Sequence, residues 1–460
     1  MSLSSSVHTK EIEGVYYQQN GRIEFRLIPN KLYSTDLIIS NLGLSKAANS
    51  SRHHKWCGVY GSCVNASLMD GNTILANLND LGEWSGFKNF TKENQYNNSV
   101  SQYYNGGLLA NRWNQSDTNQ NNTAEQVAGR PTSNFGAVIE EGQIRALQTQ
   151  VLEANTYKGL LKMRMYFDLL NKLQYIDTSI FKNFRIVIEL SNDAQRCLRQ
   201  RTSDTDLNTT RPFLVAHEVV DEEIVSGMMG KMGNVIYNEM ERDQVNIPAV
   251  AGLLDTNRYV QQVSNFHISA FNSKTIGRIL LWKQPALNFN TRDIRGGANA
   301  DTVGNGVFSS LALLREVEQV KINGRNILPR SGVEGSNRRL AKMVDSWGDM
   351  SIAPFNNGLA SIRPNGEPRT SYLQSGNEDI GLMDYVGLEV SEKCSDLQID
   401  LSRSGIFLNS NGAGGAGNNG GSDVGRTANS KYNSSINLVI YAEVKKAIVP
   451  SGDSYNVVYV

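Results

Sequence analysis

The sequence predicts an all-β protein built as two tandem antiparallel sandwiches, and three observations carry that expectation. Short runs alternate apolar and polar side chains along most of the chain, which is the period of half-buried strands. Turn-forming residues and long polar loops separate these runs, as they do in sandwiches. Segments of the first half also recur in the second, in the same order. With 460 residues the chain exceeds the ~250–300 at which single cores stop growing, so two cores are expected.

The recurrence is clearest where VNASLMDGNTIL, Val64–Leu75, meets VEQVKINGRNIL, Val317–Leu328. At an offset of 253, Asp70-Gly71 falls on Asn323-Gly324 and Ile74-Leu75 on Ile327-Leu328. Asp-Gly or Asn-Gly after an alternating run marks a tight strand reversal, because both turn residues take positive φ, which Asn, Asp and Gly tolerate. Arg185–Glu189 (RIVIE) matches Asn437–Tyr441 (NLVIY) at an offset of 252. Gly21–Pro29 (GRIEFRLIP) matches Gly277–Pro285 (GRILLWKQP) at 256.

Taken in order, residues 1–20 are polar and mixed and read as a flexible or partner-bound arm. A first sandwich is expected over 21–248. It opens with Arg22–Ile28, where Ile23, Phe25 and Leu27 alternate with Arg22, Glu24 and Arg26, and continues with Leu37–Leu42. After the Asp70-Gly71 turn, Ile74, Leu75, Leu78, Leu81 and Trp84 follow helical spacing, which predicts a short amphipathic helix. Asn89–Asn134 contains eleven Asn and reads as a long surface loop. Strands are expected again at Leu161–Phe167, Phe184–Leu190 and Phe213–Val220. Arg199–Arg211 reads as a loop, and Met228–Arg242 as a helix or connector.

The second sandwich is expected over 249–460, with the boundary near Asn246–Asn257. Its strands are Val260–Phe271, Gly277–Lys283, Val317–Ile322 and Asn326–Leu328, followed by a helix at Asn337–Trp347. Leu388–Val390, Leu397–Leu401 and Ile436–Val444 follow, and the chain closes on the apolar Tyr455–Val460. Asn409–Gly421 (NSNGAGGAGNNGG) is too polar and Gly-rich for anything but an exposed loop.

Composition narrows the function. Forty-five basic and 45 acidic side chains cancel, so no global field draws in nucleic acid or an anionic membrane, and sequence-specific nucleic-acid binding is not expected. Proteins, including copies of the chain itself, are the expected partners. MSLSSSVHTKEIEG lacks the apolar core of a signal peptide, and no run of ~18 apolar residues predicts a transmembrane helix. The four cysteines (Cys57, Cys63, Cys197, Cys394) are too few for a disulfide framework and read as reduced thiols. Eight Asn-x-Ser/Thr sequons, among them Asn65, Asn89, Asn114 and Asn433, reflect an Asn-rich composition rather than glycosylation.

No constellation of residues points to catalysis. The GxGxxG of Gly415–Gly420 lies in a Gly/Asn tract, without the strand before it and the helix after it that phosphate binding requires. His53, His54, Cys57 and Cys63 cluster, but their spacing is not that of a zinc site, and the segment reads as a polar loop entering a core strand. His217-Glu218 falls on a strand, where adjacent side chains point to opposite faces. Asp221–Glu223 reads as a solvated turn. No GxSxG, HExxH or GxxxxGK[ST] occurs, so no catalytic, cofactor-binding or metal-binding residue is expected.

Val64–Leu75 with the following LANLNDLGEWSGF, then EVEQVKINGRNILP and the closing INLVIYAEVKKAIV, resemble the double jelly-roll major capsid proteins of icosahedral double-stranded DNA viruses. The resemblance covers most of residues 20–460 and points to the proteins of polinton-like viruses, virophages and nucleocytoplasmic large DNA viruses. It implies two tandem eight-stranded antiparallel jelly-roll sandwiches with short helices and long inserted loops. It further implies a homotrimer of pseudo-hexagonal outline that tiles an icosahedral virion shell. Neighbouring capsomers, minor and penton capsid proteins and an internal membrane would be its partners, and the host cytoplasm or nucleus its place of assembly. Asn89–Asn134 and Asn409–Gly421 would then be exterior loops. The alternative is a carbohydrate-binding or host-attachment sandwich, with Trp84, Tyr103, Tyr104 and Trp113 as its aromatic cluster. A β-rich glycoside hydrolase ranks third.

Overall fold

The computed structural model describes residues 7–17, 21–42, 44–45, 52–54, 60, 63–91, 138–140, 159–190, 208–209, 211–247, 258–285, 317–329, 333–347, 385–407, 436–452 and 454–460. The chain divides into two compact units, Met1–Glu241 with Glu443–Val460, and Arg242–Ala442. The C-terminal residues, which sequence order alone assigns to the second half, therefore pack with the first.

The first unit begins with β1 (Val7–Glu13), β2 (Val15–Tyr17), β3 (Arg22–Arg26), β4 (Leu32–Tyr33), β5 (Ile38–Leu42), β6 (Leu44–Ser45) and β7 (Arg52–His54). The hairpin β8 (Cys63–Asp70) and β9 (Thr73–Asn79) leads into α1 (Leu81–Thr91), and β10 (Val138–Glu140) and β11 (Gly159–Lys162) follow. Then come α2 (Asp168–Lys172), β12 (Ile176–Asp177), β13 (Phe184–Leu190), β14 (Asn208–Thr209), β15 (Phe213–Val219) and α3 (Glu222–Met228). One sheet has the order β11-β5-β15-β4-β12 with β1 along β15; the other runs β2-β3-β13-β8-β9. In the second sheet the alternation becomes two apolar rungs, Ile23–Ile188–Ala66 and Phe25–Ile186–Leu68. All six side chains are at most 1% exposed. Such burial stabilises by about 1.5–3 kcal/mol for each large aliphatic or Phe side chain.

The chain leaves the first unit within β16 (Val235–Ile247) and returns within β23 (Ile436–Ser451). Between them lie β17 (Arg258–Ile268), β18 (Thr275–Pro285), β19 (Val317–Ile322), β20 (Arg325–Asn326), α4 (Val333–Ser346), β21 (Tyr385–Lys393) and β22 (Leu397–Phe407). β24 (Ser454–Tyr459) follows β23. The sheets are β17-β22-β19-β20 and β16-β23-β18-β21, with β24 paired to β23. Rungs form here as well: Ile268–Leu397–Ile322 and Phe266–Ile399–Val320.

The two units follow one path. β3-β13-β8-β9 has the same order and connectivity as β17-β22-β19-β20, β11-β5-β15 matches β21-β18-β23, and a helix follows the hairpin in each. Of the three recurring segments, only the hairpin lies on counterparts. RIVIE is on β13 and NLVIY on β23, whereas the partner of β13 in the second path is β22. GRIEFRLIP is on β3 and GRILLWKQP on β18, whose counterpart is β5. Alternating apolar pentamers recur in any sandwich, so two of the matches were coincidences of period.

Several elements differ from the sequence expectation. Ile74–Leu78 belongs to strand β9, and the helix begins only after Asp80, whose φ is +59° and whose carboxylate accepts from Glu83 N at 3.3 Å. Ile74, counted there as helix face, is 49% exposed, while pairing with β8 holds the strand. The alternation at Leu161–Phe167 breaks at Lys162: Met163–Met165 is a 3-10 turn, and Phe167 N donates to Met163 O. Of Met228–Arg242, expected as a helix or connector, Val235–Arg242 belongs to strand β16. Asp221–Glu223 is a helix start, with Asp221 Oδ1 accepting from Glu223 N and Ile224 N. The described part of the expected arm, residues 7–17, is strand but for Gly14: β1 pairs with β15 along its whole length, and β2 pairs with β3. Its charged residues read as flexible because edge strands carry charge to discourage further pairing. Residues 92–134 and 409–421 of the expected loops lie outside the described residues.

Candidate functional site

The side chains singled out in the sequence do not converge. His53 and His54 lie on β7 and Cys63 is buried at the start of β8, while Cys57 falls outside the described residues. Among the described residues no three His, Cys, Asp or Glu gather to hold a metal. Trp84 is buried in α1; Tyr103, Tyr104, Trp113 and Gly415–Gly420 lie outside the described residues. On β15, Glu218 is buried while His217 on the opposite face bonds Thr9 Oγ1 at 3.1 Å.

What the fold assembles instead are buried carboxylates held by cations. On β3, Glu24 meets Arg22 at 2.7 Å, Arg26 at 3.1 Å and Arg185 at 3.4 Å. Burial works against its ionisation, but the Arg26 hydrogen bond and the three guanidinium charges hold its carboxyl below the usual range. Glu218 meets Lys31 at 2.8 Å and Lys10 at 3.5 Å. The Lys31 hydrogen bond lowers its carboxyl, against the opposing effect of burial. Glu239 on β16 takes Lys446 on β23 at 2.6 Å and the Asn77 amide at 3.0 Å. Its burial is deep enough to push the carboxyl up despite Lys446. None of these three stands beside a nucleophile in the contacts they make; each joins strands distant in sequence.

The hairpin tips form a second set of fixed points. Asp70 accepts from Asn183 N at 2.6 Å and from Tyr455 Oη on β24 at 2.6 Å. Asn323 accepts from Ser395 N and Oγ, each at 2.7 Å, and donates to Lys393 O at 2.9 Å. Both tips are thereby tied to the residues that open the adjacent strand, β13 or β22. Sequence reasoning missed these ties, because nothing near Asp70 or Asn323 in the chain names a partner 70 or more residues away.

No family model matches the sequence, and no curated protein matches it. Its fold does match solved structures. A chain of the PBCV-1 virus capsid superposes with a TM-score of 0.54 at 9% identity, over 99% of this chain and 97% of that one. A chain of the Sputnik virophage cryo-EM structure gives 0.53 at 9% identity, covering 98% and 88%. PBCV-1 VP54, as fitted into a reconstruction of the same virophage, gives 0.53 at 9%, covering 99% and 97%. The fold is thus that of the double jelly-roll capsid proteins, shared along nearly the whole of both chains.

Proposed function

We propose that this chain is a major capsid protein of an icosahedral double-stranded DNA virus. The observation that carries the proposal is a single chain that follows one sandwich path twice, in a fold shared with a virus capsid chain from end to end. Two sandwiches per chain, repeated around a three-fold axis, give a six-lobed capsomer of pseudo-hexagonal outline. Capsomers would tile the virion shell against their own copies, minor and penton capsid proteins and an internal membrane beneath. Assembly would take place in the host cytoplasm or nucleus. Cation-held carboxylates and pinned hairpins suit this role, since a shell tile requires rigidity rather than turnover. Light scattering of the purified protein, with negative-stain imaging of the same peak, tests the reading. A mass of three chains with hexagonal outlines is expected; a monomer that stays single at high concentration and beside its candidate shell partners would count against it.

A further inference from the structure

Helix α3 is seven residues long, yet none of its residues is buried. A helix so short is marginal in water and usually owes its existence to packing. Its C-terminal end runs into Gly227-Met228-Met229-Gly230-Lys231-Met232-Gly233, where all three glycines have open space at the position of a Cβ. The segment is anchored through Gly230, whose amide donates to Asp177 Oδ2. It borders a pocket of about 220 Å³ in the first unit, floored by Leu32, Leu173 and Phe181 and walled by Met228 and Met232. Lys172 and Lys231 also line the pocket, and among the described residues neither forms an ion pair; Lys231 Nζ donates to Gly227 O. Asp177, the acid of the lining, already accepts from Ser179 and Gly230.

We infer that this pocket docks a partner polypeptide through one or two apolar side chains flanked by Asp or Glu. The volume falls below the ~300–1,000 Å³ of small-molecule sites but suits side-chain anchors of an interface. Methionine walls adapt to anchors of different shape, as thioethers do on promiscuous binding surfaces. The two lysines set the sign: an acidic flank finds countercharges there, and a basic flank is repelled. A concave pocket does not match a flat bilayer surface. The inference rests on the first unit alone and stands or falls separately from the capsid reading.

Selection of a random peptide display library on the full-length protein tests it, with the K172E/K231E and M232E variants run beside the wild type. Lys172 and Lys231 are exposed and Met232 is half-buried at the pocket wall, so folding of each variant is checked by an unchanged melting temperature. Expected are enriched sequences pairing an aromatic or aliphatic anchor with carboxylates, and anisotropy of a labelled winner weakened at least tenfold in both variants. A charge-swapped peptide should regain binding to K172E/K231E. No enrichment, a consensus without acidic residues, or binding indifferent to both variants would overturn the inference. So would Met232-dependent binding to phosphatidylglycerol vesicles in place of peptide.

Discussion

Replacing Lys446 by Met should destabilise the first unit sharply, and more so at high pH than at low. Lys446 and Glu239 are 7% and 6% exposed and 2.6 Å apart, and the described ion pair of each is with the other. Removing one partner of a buried pair costs about 3–5 kcal/mol, because the remaining charge is left in a low dielectric. For a domain of this size that is a fall in Tm of about 6–20 °C. The pH dependence follows from Glu239, whose carboxyl burial already raises. A folded pKa above the unfolded one gives stability that is complete below the unfolded value near ~4.3 and is lost as pH rises through the folded value. Without Lys446 the folded value rises further, so the deficit of Lys446→Met should be larger at pH 8 than at pH 5. Replacing both residues, as Glu239→Leu with Lys446→Met, should recover most of the loss. Thermal unfolding of the wild type, both single variants and the double variant across that pH range measures all of it. A Lys446→Met deficit under about 1 kcal/mol, or a double variant worse than the sum of the singles, would refute the reasoning.

Other perturbations have equally definite outcomes. Gly387→Ala on β21 places a Cβ 2.7 Å from Trp347 Cδ1, so it should cost about 1–3 kcal/mol and shift the tryptophan emission of the unfolding transition. Asn323→Gly removes a carbonyl that three donors share but keeps the backbone free at φ +53°, for a loss of about 0.5–1.5 kcal/mol; Asn323→Ala should lose about 1 kcal/mol more. Glu24 and Glu218 have lowered carboxyls, so their stabilisation is present above the unfolded carboxylate pKa and lost as pH falls through the folded value. Glu24→Gln should therefore flatten the acid limb of a Tm-against-pH curve. Deleting residues 1–14 removes all of β1, which pairs along the full length of β15 beside β5 and β4, so a lower melting temperature or insoluble protein is expected; a truncation with an unchanged melting temperature would mean that β1 adds nothing.

Much of the fold was legible because period-2 alternation records burial directly. Ile23, Phe25, Ile186 and Ile188 announce their faces in the sequence, and both hairpins announce their reversal. Helix and strand were confused at Ile74–Leu78, where Leu75, Ala76 and Leu78 are all buried. A bulge opposite Leu68/Met69 shifts the register, and the buried residues then imitate helical spacing. Charge on β1 concealed a strand, because only the partner β15 makes Val7–Glu13 extended. The ion-pair cores were illegible for another reason: Glu239 and Lys446 are 207 residues apart, and spatial pairing leaves no local trace. The pocket left no such trace: Met228–Arg242 read only as a helix or connector, and only the fold places Leu32 and Phe181 behind Met228 and Met232.

The two hairpins carry the repeat at the level of hydrogen bonds rather than residue identity. Sequence matching sets Asp70-Gly71 on Asn323-Gly324, but backbone contacts set Gly71 on Asn323. Gly71 N donates to Asn183 O just before β13, and Asn323 N donates to Asp396 O just before β22. Both first turn residues have nearly the same positive φ, +55° and +53°. The loop of the first hairpin is therefore Gly71-Asn72, with Asp70 pairing with Thr73 as the last rung, as Ile322 pairs with Arg325. A side-chain oxygen still reaches the amide that opens the next strand in each unit, from Asp70 in one and from the neighbouring position, Asn323, in the other. A tie that survives a one-residue slip is selected by geometry: the hairpin tip must be fastened to the strand beside it, and any short side chain with an acceptor at either position will do so. The same freedom allows this chain and a chain of the PBCV-1 capsid, at 9% identity, to keep one fold from end to end.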